Sequence, residues 1–536
     1  LGGVKRGGGN FEDISMSNLS RVEVIKSPIP SMSADFLGGA VNLVTKSAFE
    51  RKTAQLKVSG MVQFSSLDHS LKKTHGPGGQ MTRKIRPGYD FSYVKPVTEN
   101  FGLTVSSSYS EQYRRIIAPT PTYEFAPAQG GSEAAPYLRS FLAREDGRVP
   151  IRQSFAVGAD WRPVNPLTLQ LRYRHNLYDL HTAATRLNIN TGNNPASFGA
   201  DFTQGRTGGA AISHSNIEAD GFGPTNEFSF AGRYQKNWWK VDFSAMYSDS
   251  GRKYRDTEHG YFQTSVTNIP TSTVRFSEYD GLNMPKVEVR NASGALVDWT
   301  RLDNYRITEV RANNRDAQDK VTSAKLNLRR DFEVRGKRAA LQVGGAYRAR
   351  VADMREAART WTYFGPDRVA NNADNTAGAF LDEHAQVGPK FGVPVAIEFP
   401  SNFRLYDRYR TNPEQFVLNE SANFISRVNG SERITEKIAA GYVQGELKLL
   451  DSRLAMVGGV RFERTENTGL GGLRDREAAY QHDANGKLIR AANGSPILIT
   501  SDALARARFE YKERGGENNR AYSDYYPSVN ATYEVK

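Results

Sequence analysis

An all-β fold, and more narrowly a transmembrane antiparallel β-barrel, is what this sequence predicts, and three observations carry the prediction. Period-2 stretches of about ten residues recur from Thr53 onward, close to the ~9–11 residues that a tilted strand needs to cross a bilayer. These stretches come in pairs joined by short turns, and long polar insertions separate the pairs. Trp161, Trp238 and Trp239 all fall beside the short turns, where an interfacial aromatic belt would put them.

Composition narrows the class further. The 536 residues include no cysteine, so neither a disulfide framework nor a thiolate metal site supports the fold. Mean hydropathy is -0.58, and no stretch approaches the ~18 apolar residues of a membrane helix. A barrel tolerates such a value because only every second residue meets lipid while the others line a wet lumen. The net charge of +13 is spread along the chain without a run of like charges, so no nucleic-acid partner is expected. Leu1 opens inside LGGVKRGGGN, with no initiator Met and no apolar signal core, which reads as a trimmed N-terminus. Those glycines also lack the spacing of a dinucleotide fingerprint.

Taken in order, Arg21–Ile25 alternates charged and β-branched residues and Pro28 with Pro30 ends that run. Gly38 and Gly39 allow a close backbone approach, and Val41–Thr45 resumes extended structure. Hairpins follow at Ser154–Trp161 with Leu167–Tyr173, at Glu227–Tyr234 with Trp239–Tyr247, at Ser323–Phe332 with Ala339–Arg350, and at Glu436–Leu449 with Arg453–Arg464. The insertions are Glu111–Val149, His181–Pro224, Gly251–Asp319, Ala352–Arg433 and Asn467–Arg520. Loops beyond roughly 12–15 residues are uncommon in compact domains, so regular short and long alternation argues for a barrel over a soluble sandwich. Within the hairpins one parity is apolar, as in Leu454, Met456, Gly458, Val460 and Phe462, while Arg453, Arg461 and Glu463 occupy the other.

Two segments resemble the TonB-dependent outer-membrane receptors of Gram-negative bacteria. RVEVIKSP at Arg21–Pro28, followed by LGGAVNLVTK at Leu37–Lys46, is similar to the plug signature of that family, with Ser27 where a glycine is usual. EKIAAGYVQGELKLLDSRLAMVGGVRFERTE at Glu436–Glu466 resembles its mid-barrel hairpin, and YYPSVNATYEV at Tyr525–Val535 its next strand. The resemblance implies the C-terminal part of a plug domain over residues 1–50, with Arg21, Glu23, Pro28, Gly38, Gly39 and Asn42 in its motif. Residues 51–536 would then be the N-terminal portion of the barrel, with twelve strands from Thr53 to a last one at Tyr522–Lys536, out of the 22 of a complete family barrel. The family's function implies active import of a scarce extracellular solute across the outer membrane, energised by TonB with ExbB and ExbD. A small molecule or oligosaccharide as ligand, outer-membrane lipid as surroundings and a monomeric barrel complete that expectation. The segment that contacts TonB would precede Leu1.

The resemblance further implies a lock between plug arginines and barrel carboxylates. Arg21 is the plug candidate, and Glu436, Glu446 and Glu463, which strand parity sends to the lumen, are the barrel candidates; pairing with neighbours such as Lys448 and Arg461 is the alternative. Loop aromatics, including Tyr123, Phe125, Tyr137, Phe198, Phe202, Tyr261 and Phe262, could stack on a ligand, and Trp361, Tyr363 and Phe364 in the dense WTYFGP run are the first choices. No catalytic residue, cofactor or metal is expected. Asp382, Glu383 and His384 form a compact cluster that reads as solvated loop charge. Two other functions remain open to the sequence: a passive porin or adhesin, and a secreted all-β glycan-binding protein or glycosidase.

Overall fold

The computed structural model describes residues 19–36, 38–65, 71–280, 283–384 and 396–535; the LGGVKRGGGN opening, Leu37 and Lys536 lie outside them. Leu19–Ile25 (β1) and Ala40–Thr45 (β2) pair as a separate antiparallel hairpin in which Glu23 faces Asn42. A single meander of twelve strands then follows in strict chain order. Its members are Gln55–Gln63 (β3), Arg86–Pro96 (β4), Phe101–Glu111 (β5), Tyr137–Val164 (β6), Leu167–Asn190 (β7) and Ala211–Lys236 (β8). They continue with Trp239–Tyr254 (β9), Arg306–Val334 (β10), Lys337–Tyr363 (β11), Glu432–Leu449 (β12), Leu454–Arg474 (β13) and Tyr511–Tyr533 (β14). The fold is all-β and antiparallel, with the number of strands the alternation predicts.

Short turns close one end of the meander. Asn165 and Pro166 join β6 to β7, Asn237 and Trp238 join β8 to β9, and Arg335 and Gly336 join β10 to β11. In the last of these both residues have positive φ, 49° and 71°, the turn whose twist matches that of the flanking strands.

Strand length departs from expectation. β10 has 29 residues, which at ~3.3 Å each run roughly 90 Å, far more than a bilayer needs. The insertions expected to begin at Glu111, His181, Gly251, Ala352 and Asn467 are therefore strand for much of their length; Leu187, for example, still pairs with His214. Beyond the bilayer both faces of a strand are wet or covered by loops, so the apolar alternation that reveals a strand fades while backbone pairing continues. Three short helices also escape the all-β reading: Asn402–Thr411 (α1), Glu420–Asn429 (α2) and Ala503–Glu510 (α3), each capped by a Ser, Asn or Asp side chain.

Burial is inverted relative to a water-soluble sheet. Leu171, Phe228, Phe230, Leu326, Leu341, Val343 and Phe462 are exposed, whereas Ser106, Asp160, Gln444, Arg461, Glu463 and Thr465 on the opposite parity are buried. An apolar exterior around a polar interior is stable only where the exterior meets hydrocarbon. The hydrophobic core lies elsewhere, at the end of the long connections, where Leu138, Ile189, Ile212, Phe262, Ile307, Trp361 and Leu405 pack together.

Candidate functional site

The N-terminal segment meets the inner wall at two places. At the first, the stretch between β1 and β2 is held by side chains of several strands. The Ser31 N–H donates to Gln444 Oε1 (3.2 Å), the Lys325 ammonium donates to the Ser31 carbonyl (3.1 Å), and the Ala34 N–H donates to Glu463 Oε1 (3.1 Å). The Asn530 amide reaches the Pro28 carbonyl at 3.0 Å. Arg348 bridges Asp35 (2.6 Å) and Glu436 (3.0 Å), which makes it the cationic centre of the contact. Glu463 is itself oriented by Arg461 (2.6 Å), and both are almost fully buried.

The second place is a carboxylate post. Asp160 is completely buried; its Oδ2 accepts from the Ala48 N–H (2.6 Å) and the Ser47 hydroxyl (2.9 Å), and its Oδ1 accepts from Arg172. Glycines make this approach possible. A Cβ at Gly102 would stand 2.4 Å from the Ala48 Cβ, and one at Gly158 would stand 2.5 Å from Arg172 Cδ. Arg162 stacks its guanidinium on Phe49, 4.0 Å from the ring centre, and Lys46 donates to Ser92 at 2.9 Å.

The predicted lock is placed differently. Arg21 turns onto Glu23 of its own strand, Nε to Oε1 2.7 Å, and reaches none of the three barrel carboxylates. The reason is local: β1 and β2 are short and exposed, and Glu23 sits two residues from Arg21 on the same face, where Asn42 also donates to it at 2.8 Å. The Asn42 hydrogen bond first, and the Arg21 guanidinium second, hold the Glu23 carboxyl below the usual carboxylate range. Glu436 and Glu463 do touch the N-terminal segment, through Arg348 and the Ala34 amide, while Glu446 pairs with Arg329 at 2.5 Å instead. Of the two glycines, only Gly39 needs its identity: its φ is 108°, and a Cβ would lie 2.8 Å from the Ile25 carbonyl oxygen, whereas one at Gly38 meets nothing within 4 Å.

The aromatic candidates Trp361 and Tyr363 lie inside the fold. They are 3% and 2% exposed, on one face of β11, and they pack into the hydrophobic core at the end of the long connections, the cap, instead of facing solvent. Trp361 lies 5.3 Å from Phe262 and 5.5 Å from Tyr409, and Tyr363 lies 4.9 Å from Phe416. Phe364 is half-buried, and its N–H donates to the Gln415 carbonyl at 2.8 Å. Tyr137, Tyr261 and Phe262 are buried as well, whereas Phe125 is exposed.

The same cap holds buried and half-buried titratable groups, of which His214, Glu218 and Asp220 are marked by no sequence signal. His214 is fully buried, with its ring 4.2 Å from Tyr305 and 4.6 Å from Phe399, and burial pulls its pKa down to about 3. Glu218 is pushed well above the carboxylate range by burial, and it accepts the Gly78 N–H at 3.3 Å. Asp220 joins His181 (2.5 Å) and His259 (3.4 Å). Asp382, Glu383 and His384 do not converge: Asp382 faces His75 at 3.6 Å and Glu383 faces Arg404 at 3.2 Å. Among the described residues no group of side chains is arranged to hold a metal ion.

Asp35, Lys325, Arg348, Asp160 and Gln444 were missed by sequence reasoning. Inward parity beside a short turn marks Asp160, and parity alone marks Lys325, Arg348 and Gln444 without naming their partners; nothing local marks Asp35.

Comparison with known proteins gives one family. Residues 278–536 match the model of the family described as TonB dependent receptor-like, beta-barrel. No curated protein matches the sequence. Among solved structures, the Pseudomonas putida toluene transporter TodX is similar at 11% identity, over 80% of this chain and 86% of that one, with a TM-score of 0.18. A point mutant of the Pseudomonas aeruginosa ferric enterobactin receptor PfeA, in complex with enterobactin, is similar at 9% identity over 97% of this chain and 87% of that one, with a TM-score of 0.21.

Proposed function

We propose, from the match of residues 278–536 to the β-barrel model of the TonB-dependent receptor family, that this chain binds a scarce extracellular solute at the outer membrane and imports it by an active, plug-gated route. One observation carries the reading: the segment 28–50 is fastened to the inner wall by buried, hydrogen-bonded side chains at two separate places. An open pore has no use for a bonded obstruction in its lumen. A gated transporter needs one that holds at rest and yields to force.

In this reading residues 1–50 are the end of a plug and residues 51–536 are barrel wall. TonB, with ExbB and ExbD, supplies the force, and the solute leaves chemically unchanged. A small molecule or an oligosaccharide is the ligand, and the barrel is a monomer surrounded by outer-membrane lipid in a Gram-negative cell. The decisive experiment follows uptake and growth of a deletion strain on iron chelates and on glycans, with and without TonB. Loss of uptake on deleting either the receptor or TonB supports the proposal. Uptake that needs the receptor but not TonB overturns it in favour of a passive pore.

A further inference from the structure

We propose that the outer face of the barrel carries a binding site for one glycerophospholipid, with its phosphate on Arg330 and an acyl chain in the adjoining groove. A cavity of about 530 Å³ opens on the lipid-facing side between Trp239, Leu328, Arg330, Phe332, Leu341 and Val343. All of its apolar members are exposed large hydrophobics of the outward parity, so the cavity belongs to the membrane surface and not to the lumen. On the next strand the position opposite Leu341 is Gly445, itself paired with Gly458, so two side chains are missing where the wall steps down. Leu341 and Val343 thus stand above a shallow floor, and an acyl chain would fill the step.

Arg330 makes the surface more than generic hydrocarbon contact. It sits between Trp239 and Leu341 in the sheet register, with its guanidinium stacked 5.2 Å from the Trp239 ring centre. Among the described residues no carboxylate pairs with it, although the neighbouring Arg329, of inward parity, has both Asp331 and Glu446. A lipid-facing cation without a counter-ion is stable only near an interface where an anion can reach it. Arg330 is five residues before the Arg335–Gly336 turn, which at ~3.3 Å per residue and ~45° tilt puts it roughly 12 Å above that rim. Trp239 beside it marks the same level. The anion available at this depth is a lipid phosphate, whose oxygens match the planar fork of a guanidinium. The leaflet at the short-turn rim is the one that supplies it.

Native mass spectrometry of the purified protein in neutral detergent tests the site, with palmitoyl-oleoyl phosphatidylglycerol as probe and palmitoyl-oleoyl glycerol, of the same chains without phosphate, as control. The wild type is expected to retain one phospholipid at collision energies that strip the rest, and to retain no diacylglycerol. Arg330→Gln should retain at least about tenfold less, the loss of a charge-assisted contact. Val343→Trp keeps the charge but fills the groove, and should also lose the lipid. Folding of both variants is checked by the unheated electrophoretic mobility of the barrel. Equal retention by Arg330→Gln, equal retention of diacylglycerol, a smooth distribution of many lipids, or preference for lipid A would each overturn the proposal.

Discussion

Asp160→Asn isolates the post that holds Ser47 and Ala48. The substitution keeps the shape of the side chain and removes its charge. Both oxygens of the buried carboxylate are in use: Arg172 on one, the Ser47 hydroxyl and the Ala48 N–H on the other. An amide can keep the Oδ1 or the Oδ2 contacts but not both, because one of its two positions becomes a donor facing donors. Breaking a buried pair by removing one partner costs ~3–5 kcal/mol, and part of that falls on Arg172, whose charge is left in place. Taking the lower end, about 3 kcal/mol, local opening of the stretch around Ser47 and Ala48 becomes roughly 150-fold more frequent. Hydrogen exchange at the Ala48 amide reads this directly. The pairing of β6 with β7 runs on backbone bonds along both strands and should hold, so amides there serve as internal reference. Glu446→Gln is the external control, since Glu446 pairs with Arg329 and bonds to none of the described residues of the N-terminal segment. Acceleration of less than about tenfold at Ala48, with the reference amides unchanged, would refute the view that Asp160 anchors the segment.

The other contacts predict smaller or differently placed effects. Arg348→Ala should speed exchange at Ala34 and Asp35 by about five- to tenfold, because the Asp35 pair is only part-buried and worth ~1 kcal/mol, while Arg21→Ala should leave those amides unchanged. Trp361→Ala should destabilise the cap by ~3–5 kcal/mol and open residues 396–416 to limited proteolysis, and a variant that loses ligand affinity with an intact cap would assign Trp361 to ligand contact instead. His214, whose folded pKa is depressed to about 3, gives stability that is complete above the unfolded value of 6.5 and is lost as pH falls through that window. At pH 5 the loss is ~2 kcal/mol, so His214→Phe should remove the acid sensitivity of cap proteolysis between pH 7 and 4, and an unchanged pH profile would count against a buried neutral imidazole. Glu218 acts in the opposite sense, since its raised pKa favours the folded cap below 4.5 and disfavours it as pH rises.

The strand count is legible because each membrane crossing imposes strict alternation, as Leu454 to Phe462 shows against Arg461 and Glu463. Strand ends are not, because alternation is a property of the lipid boundary and stops with it. Trp361 and Tyr363 illustrate the cost: with Thr362 between them they share one strand face, yet in a polar insertion they read as loop aromatics. Their i, i+2 spacing is a strand signal, and the polarity of the surrounding insertion masks it.

The contact with the inner wall is built differently from a match of charge to charge. Matching charged side chains across sequence assumes that side chains meet side chains. Here the barrel side chains Gln444, Lys325, Glu463, Asn530, Asp160 and Arg172 bond mostly to backbone groups of the segment, at Ser31, Ala34, Pro28, Ala48 and Lys46. Backbone donors and acceptors are present at every residue, so the sequence of the segment carries little record of where it is held. The interface is therefore asymmetric. Substitutions at Ser31 or Ala34 that preserve backbone conformation should be tolerated, whereas Gln444, Glu463 and Asp160 cannot change without leaving a buried polar group unpaired. A bond to backbone also breaks whenever the segment changes conformation, whatever its side chains are, which is what the plug-gated route proposed above would require of such a fastening.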